Sequence, residues 1–179
     1  MRIFMTMRGI PQIFYGTEIL MSNPGTESHG VIRSDFPGGW VFDSISAFTG
    51  IGMDSLSLDF QEWTKSIIEW RNNTPVIHNG DFMHYAPENG TYVYFRYDNE
   101  NVIMVIVNKN TSLTGLDMDR FVERTAGFDR AVDVFSDKVY ELSGTVPVQG
   151  MSTTVLRLEN EEEAPQADEE SNEDDNTGQ

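Results

Sequence analysis

Phe82-Met83-His84-Tyr85, Thr91-Tyr92-Val93-Tyr94-Phe95-Arg96-Tyr97 and Asn101-Val102-Ile103-Met104-Val105-Ile106-Val107 decide the fold. Each run is rich in β-branched and aromatic residues. Glu88-Asn89-Gly90 separates the first two and Asp98-Asn99-Glu100 the last two, both with the composition of tight turns. Three antiparallel strands in sequence order are therefore expected. The third is apolar at every position from Val102 to Val107, which requires cover on both faces, as inside a sandwich. Ala131–Phe135, Lys138–Leu142 and Thr153–Leu158 supply further strand patterns, with a short helix near Met118–Arg124. Residues 79–158 thus read as a mainly β unit, a small antiparallel β-sandwich.

Upstream, the period changes. Phe60, Trp63, Ile67 and Trp70 recur at helical spacing, Ser57 is a candidate N-cap, and Thr74-Pro75 interrupts the pattern, which predicts a helix over 58–72 with both tryptophans on its buried face. From Gly16 to about Ser55 the chain is rich in Gly, Ser and Pro, with no sustained period. Unpatterned stretches of that length are commonly functional loops. Ile10-Pro11-Gln12-Ile13-Phe14-Tyr15 is short, apolar and β-prone, with its proline near the start, where a missing ladder donor matters least. A strand is expected there, and Ile3–Met7 before it suits the end of a helix closed by Gly9. An isolated strand of this kind has two open edges and invites self-association.

The chain carries 29 Asp and Glu against 12 Lys and Arg, and no cysteine. Without cysteine there is no disulfide, thiolate metal site or thiol nucleophile. Ten of the carboxylates follow Leu158, in a stretch without a single basic or aromatic residue. Residues 159–179 therefore read as a disordered acidic tail. Removing it leaves 19 acidic and 12 basic residues, a net charge of −7, which argues against a nucleic-acid partner, since phosphate binding needs a basic face. No apolar run approaches the roughly 20 residues of a membrane span, so no membrane partner is expected either.

The run Arg8-Gly9-Ile10-Pro11-Gln12-Ile13-Phe14-Tyr15-Gly16-Thr17-Glu18, followed by Ile32-Arg33-Ser34-Asp35-Phe36-Pro37-Gly38-Gly39-Trp40, resembles the end of the catalytic barrel of the α-amylase family, most closely its neopullulanase and cyclomaltodextrinase branch. The resemblance implies that residues 1–78 are the last strand, substrate-side loop and last helix of a (β/α)₈ barrel. It implies equally that 79–158 is the family's β-sandwich domain C. A whole barrel takes roughly 250 residues, more than this chain holds. The expected identity is thus the carboxyl-terminal part of an α-glucan glycoside hydrolase acting on starch, maltooligosaccharide, cyclodextrin or pullulan. The resemblance suggests a bacterial glucan-using system, periplasmic or cytoplasmic. The alternative is a non-catalytic sandwich that binds polysaccharide or a protein.

Retaining glycoside hydrolysis needs two carboxylates about 5–5.5 Å apart. In the resembled family they lie on earlier barrel strands, so no catalytic residue is assigned here. Glu18 and Asp35 are the local carboxylates; they read as an acceptor for loop donors and as a turn residue. The candidate α-glucan contacts are Arg33, His29 and Tyr15. Relatives have an Asp-Pro-x-x-Arg segment in this loop, whose Asp and Arg are implied to reach glucose hydroxyls. Arg33 stands in the arginine's place and His29 in the aspartate's. Arg33 bridging Asp35 or another loop carboxylate is the other reading. Tyr15 faces either the sugar or the core, and Trp40 either stacks on a ring or anchors the Gly38-Gly39 turn. His29, His78 and His84 lack metal-ligand spacing, so no metal and no cofactor is expected. Tyr85, Tyr92, Tyr94 and Tyr97 form either a carbohydrate platform or ordinary cross-strand packing.

Overall fold

The computed structural model describes residues 1–25 and 27–160. Its strands are β1 (Asp81–His84), β2 (Thr91–Tyr97), β3 (Val102–Asn108), β4 (Thr114–Asp117), β5 (Arg130–Asp133), β6 (Val139–Glu141), β7 (Thr145–Val148) and β8 (Ser152–Glu159). The helices are α1 (Arg2–Thr6), α2 (Ser55–Asn72), α3 (Pro75–Asn79) and α4 (Val122–Thr125). Six strands form one antiparallel sheet in the order β1-β2-β3-β8-β5-β6, while β4 and β7 pair as a second. The three expected strands run in sequence, β1 against β2 and β2 against β3.

Alternation along β2 and β3 builds two cores. Val93, Phe95, Met104 and Ile106 point to one face, where Leu116 of β4, Val146 and Val148 of β7, Met118 and Phe121 cover them. Tyr94, Ile103 and Val105 point to the other, against Val76 and Ile77 of α3 with Trp70 of α2 at the edge. β3 is thus covered on both faces, as its unbroken apolar run requires. The β4–β7 layer is not foreshadowed by the sequence pattern. β4 contains Gly115 and β7 contains Pro147, directly opposite each other, and a proline that cannot donate is tolerated because this pair has free outer edges.

Other expectations shift. Residues 10–15 form no strand; Ile10 is 98% exposed, and with no neighbouring strand to supply ladder partners the apolar run stays irregular, so it offers no sheet edge for association. α2 begins three residues earlier than expected, capped by Asp54, whose carboxylate accepts from the Ser57 N–H at 2.9 Å and the Ser57 hydroxyl at 2.8 Å. Hydrogen bonding to Ser57 holds the Asp54 carboxyl below the usual range. Pro75 opens α3 instead of merely ending α2, since its missing N–H is harmless at a first helical position. The buried residues of α2 are Ser57, Thr64, Ile67 and Arg71. Trp63 and Trp70 are only half-buried, Trp63 against Phe60 and Trp70 edge-on to Phe135. Glu159, expected to begin the tail, ends β8 and pairs with Arg130 and Arg157; residues 161–179 lie outside the described residues.

Two buried arginines tie the helices to the sheet through carbonyls. Arg71 donates to the carbonyls of Met5 and Gly9, holding the amino-terminal segment on α2. Arg96, 1% exposed in β2, donates to Gly80 at 2.8 Å, and its Nε and Nη1 take no partner. Burial, then the charges of Arg71 and Arg8, hold the Arg96 guanidinium below its ordinary value. α1 is fixed to the same face by Arg2, which donates to the Thr153 carbonyl at 2.8 Å, and by Thr6, hydrogen-bonded with the Tyr94 hydroxyl at 2.5 Å.

Two stability predictions follow from this packing. A Cβ on Gly80 would lie 2.4 Å from the Val76 carbonyl oxygen and 2.7 Å from that of Tyr97, both backbone atoms. Gly80→Ala is expected to cost roughly 1–3 kcal/mol in urea unfolding; an unchanged midpoint would contradict this contact. Burial pushes the Tyr94 hydroxyl up to about 12. The unfolded chain ionises this group near 10, so above that pH the unfolded state binds fewer protons than the folded one and stability falls. The unfolding free energy should therefore decline between about pH 10 and 12, and Tyr94→Phe should make the decline shallower.

Candidate functional site

The long loop is built from local hydrogen bonds. Two 3₁₀ turns, Thr17–Ile19 and Val31–Arg33, punctuate it, and the first packs against α2 through the buried Ile19. Asn23 ties the second in place, its amide donating to the Val31 carbonyl at 2.9 Å and the Ser34 hydroxyl at 2.8 Å. The Tyr15 hydroxyl donates to the Ser34 carbonyl at 3.2 Å. The Arg33 guanidinium reaches back to the His29 carbonyl at 3.5 Å.

Tyr15, His29 and Arg33 therefore belong to one exposed surface. Arg33 makes no ion pair with Asp35 or with any other carboxylate of the described residues. Arg33 and His29 are exposed, and Tyr15 is half-exposed. Such a surface can hydrogen-bond hydroxyl groups. It holds no acid and base pair.

Glu18 and Asp35 are turned to different surroundings. Asp35 accepts from the indole N–H of Trp40 at 3.3 Å. It does not close the Gly38-Gly39 turn; Asp43 does, accepting from the N–H groups of Gly38 at 2.9 Å and Trp40 at 3.0 Å. Trp40 is thus held at its backbone and its indole N–H while the residue remains 68% exposed. Glu18 receives none of the expected backbone donors, and its Oε2 is buried without a partner, because the 3₁₀ turn directs it toward α2. Asn23 and Asp43 were missed as organising residues. The Asn23-Pro24-Gly25 turn signal and an aspartate three residues after Trp40 are the marks that could have found them.

Strand alternation splits the tyrosines. Tyr92 and Tyr94 lie on the helix-covered face, while Tyr85 and Tyr97 pack against the other core, so no common platform forms. His78 donates from Nε2 to the Arg71 carbonyl at 2.8 Å. His84 stacks on Phe82 at 5.8 Å. Among the described residues no three His, Asp or Glu side chains gather as a metal-holding group, and no helix is long and apolar enough to cross a membrane.

Residues 82–157 match the family described as the cyclo-malto-dextrinase C-terminal domain. The chain is 30% identical over 117 residues to a cyclomaltodextrin glucanotransferase of Klebsiella oxytoca, and 28% identical over 118 residues to one of Geobacillus stearothermophilus. These alignments cover 62% and 64% of this chain. Over this stretch the chain is similar to the carboxyl-terminal domain of α-amylase-family enzymes. It spans only 15% and 14% of the length of those two relatives. Among solved structures, an Anoxybacillus α-amylase superposes with a TM-score of 0.65 at 14% identity, covering 91% of this chain and 32% of that one. AmyP in complex with maltose does so at 0.62 and 15% identity, covering 89% and 33%. These shares exceed the sandwich alone, so the likeness in fold extends over the helices and the long loop.

If Asn23 positions the loop, Asn23→Ala should raise amide exchange across 29–34 by at least about tenfold, the loss of two hydrogen bonds of about 1 kcal/mol each, and leave exchange in β2 and β3 unchanged. Equal exchange in both proteins would refute the role.

Proposed function

We propose that this chain is the carboxyl-terminal part of an α-glucan glycoside hydrolase, supplying the substrate-side loop and domain C while the catalytic carboxylates reside elsewhere. The observation that carries it is the proximity of Tyr15, His29 and Arg33 on one exposed loop, the Tyr15 hydroxyl bonded to Ser34 and Arg33 to the His29 carbonyl, with no carboxylate partner for Arg33 among the described residues. Arg33 and His29 would donate to adjacent hydroxyls of a glucose unit, and Tyr15 would border the same ring. Residues 1–78 would be the barrel-derived portion and 79–158 the sandwich. A second feature agrees with this division. Large exposed apolar side chains such as Ile10, Phe14, Val41, Phe42 and Phe48 crowd the first 56 residues, whereas beyond them only Leu113, Val122, Val139 and Met151 are exposed among the described residues. An apolar surface of that kind suits packing against the remainder of a barrel.

The purified chain is expected to show no turnover of maltooligosaccharide or cyclodextrin, since the two local carboxylates, Glu18 and Asp35, lie in different surroundings. Turnover would overturn the assignment of catalysis to other residues. In a titration with maltotriose followed by NMR, shifts should centre on residues 15 and 29–34. Arg33→Ala should weaken binding by roughly tenfold or more, the worth of charge-assisted hydrogen bonds. Shifts confined to residues 80–158 would instead support glucan binding by the sandwich itself.

A further inference from the structure

Where the junction of α2 and α3 meets the sheet lies a cavity of about 320 Å³. Val76 of α3 and Ile103 of β3, both buried, form its apolar floor, and the half-buried Trp70 stands in its wall. Trp70 is braced. Its ring meets Phe135 edge-on at 5.3 Å, and the Arg2 guanidinium lies 4.6 Å from the centre of the Phe135 ring. A fixed aromatic wall over an apolar floor suits a ligand with an apolar face.

The rim is polar and solvent-exposed, so a ligand in the cavity can reach its atoms. Asn73, which closes α2, is exposed, and its side-chain amide makes no hydrogen bond among the described residues. Asn101 donates from its amide nitrogen to Asp98 at 3.3 Å, which leaves its side-chain oxygen unengaged. Arg157, with a side chain 55% exposed, gives Nε and Nη2 to Glu159 at 3.1 and 3.0 Å and keeps Nη1 over. These groups specify the ligand. No Asp or Glu lines the cavity, so a cation finds no counter-charge there. An anion would meet a single guanidinium already engaged with a carboxylate, beside amide oxygens that repel it. A hydroxyl both donates and accepts, as the two carboxamides do. An apolar ring face edged by hydroxyls is the chemistry of a sugar.

We propose that this cavity is a second carbohydrate site, taking one α-glucose unit with its ring against Trp70 and its hydroxyls bonded to Asn73, Asn101 and Arg157 Nη1. That the sugar is glucose rests on the α-glucan reading above; that it is a neutral, hydroxylated ring rests on the cavity. The site shares no residue with the Tyr15, His29 and Arg33 surface and binds independently of it.

The test titrates the full chain with methyl α-glucoside, a single sugar unit, followed by NMR at the Trp70 indole N–H and the Asn73 and Asn101 side-chain amides. Saturable shifts are expected, with a dissociation constant on the order of 1–10 mM, as befits so small a ligand. Asn73→Ala should weaken binding about threefold to tenfold, the worth of one hydrogen bond. It should melt with the parent, because this side chain has no bond to lose. Trp70→Ala should abolish saturation; it also strips a contact from Phe135, so the Asn73 variant decides the matter if that protein fails to fold. Glycerol, which has hydroxyls but no ring face, and inorganic phosphate should each bind at least about tenfold more weakly. Shifts elsewhere, no saturation, an equal response to glycerol or phosphate, or unaltered binding by Asn73→Ala would overturn the proposal. Arg33→Ala should leave this titration unchanged. Binding here with none at residues 29–34 would sink the loop reading alone, and the reverse would sink this one alone.

Discussion

The burial of β3 on both faces is the constraint on which the rest of the architecture depends. Val102, Met104 and Ile106 face one way, Ile103 and Val105 the other, and each set has to be removed from water. One side is closed by a second, two-stranded sheet and the turn carrying Phe121. The other is closed by α3, with α1 and α2 around it. Neither cover is a stable layer alone, since β4 and β7 are four residues each and α1 and α3 five. The sheet organises its covers.

The helical cover is fastened by an unusual means. Arg71 and Arg96 are buried cations that donate to backbone carbonyls instead of carboxylates, which ties Met5, Gly9 and Gly80 to side chains from elsewhere in the chain. A carbonyl lacks the full charge that would repay burial of a guanidinium, and Arg96 keeps two nitrogens without partners. The arrangement gives up stability for a fixed position of the amino-terminal segment on the sheet. That position determines where the long loop starts, and so where Tyr15 and Arg33 stand.

The loop itself is held by short-range bonds: Asn23 to its own 3₁₀ turn, Asp43 to the turn after Pro37, and Tyr15 to Ser34. Its outward side offers donors suited to hydroxyls, and on its inner side the turn carrying Glu18 packs against α2. Chemistry that breaks a glycosidic bond needs paired carboxylates, and Asp35 and Glu18 are committed to different surroundings.

By itself the sequence determined the strands of high β-propensity, the helix over α2, the both-sided burial of β3 and the family motif around residues 9–40, because each rests on neighbours in the chain. It also offered Arg33 and His29 as candidates through a family resemblance, and Tyr15 through its place at the end of a strand-like run. Tertiary structure alone decided the β4–β7 layer, whose strands are 28 residues apart at their closest-paired ends and include glycine and proline that hide their character. It decided that residues 10–15 remain irregular, since a strand is made by its ladder partners and none stands beside them. It likewise placed Tyr94 against Thr6, left Arg33 without a carboxylate among the described residues, and packed the turn carrying Glu18 against α2. Each of these joins residues distant in sequence, whose meeting is set by how the covers settle on the sheet.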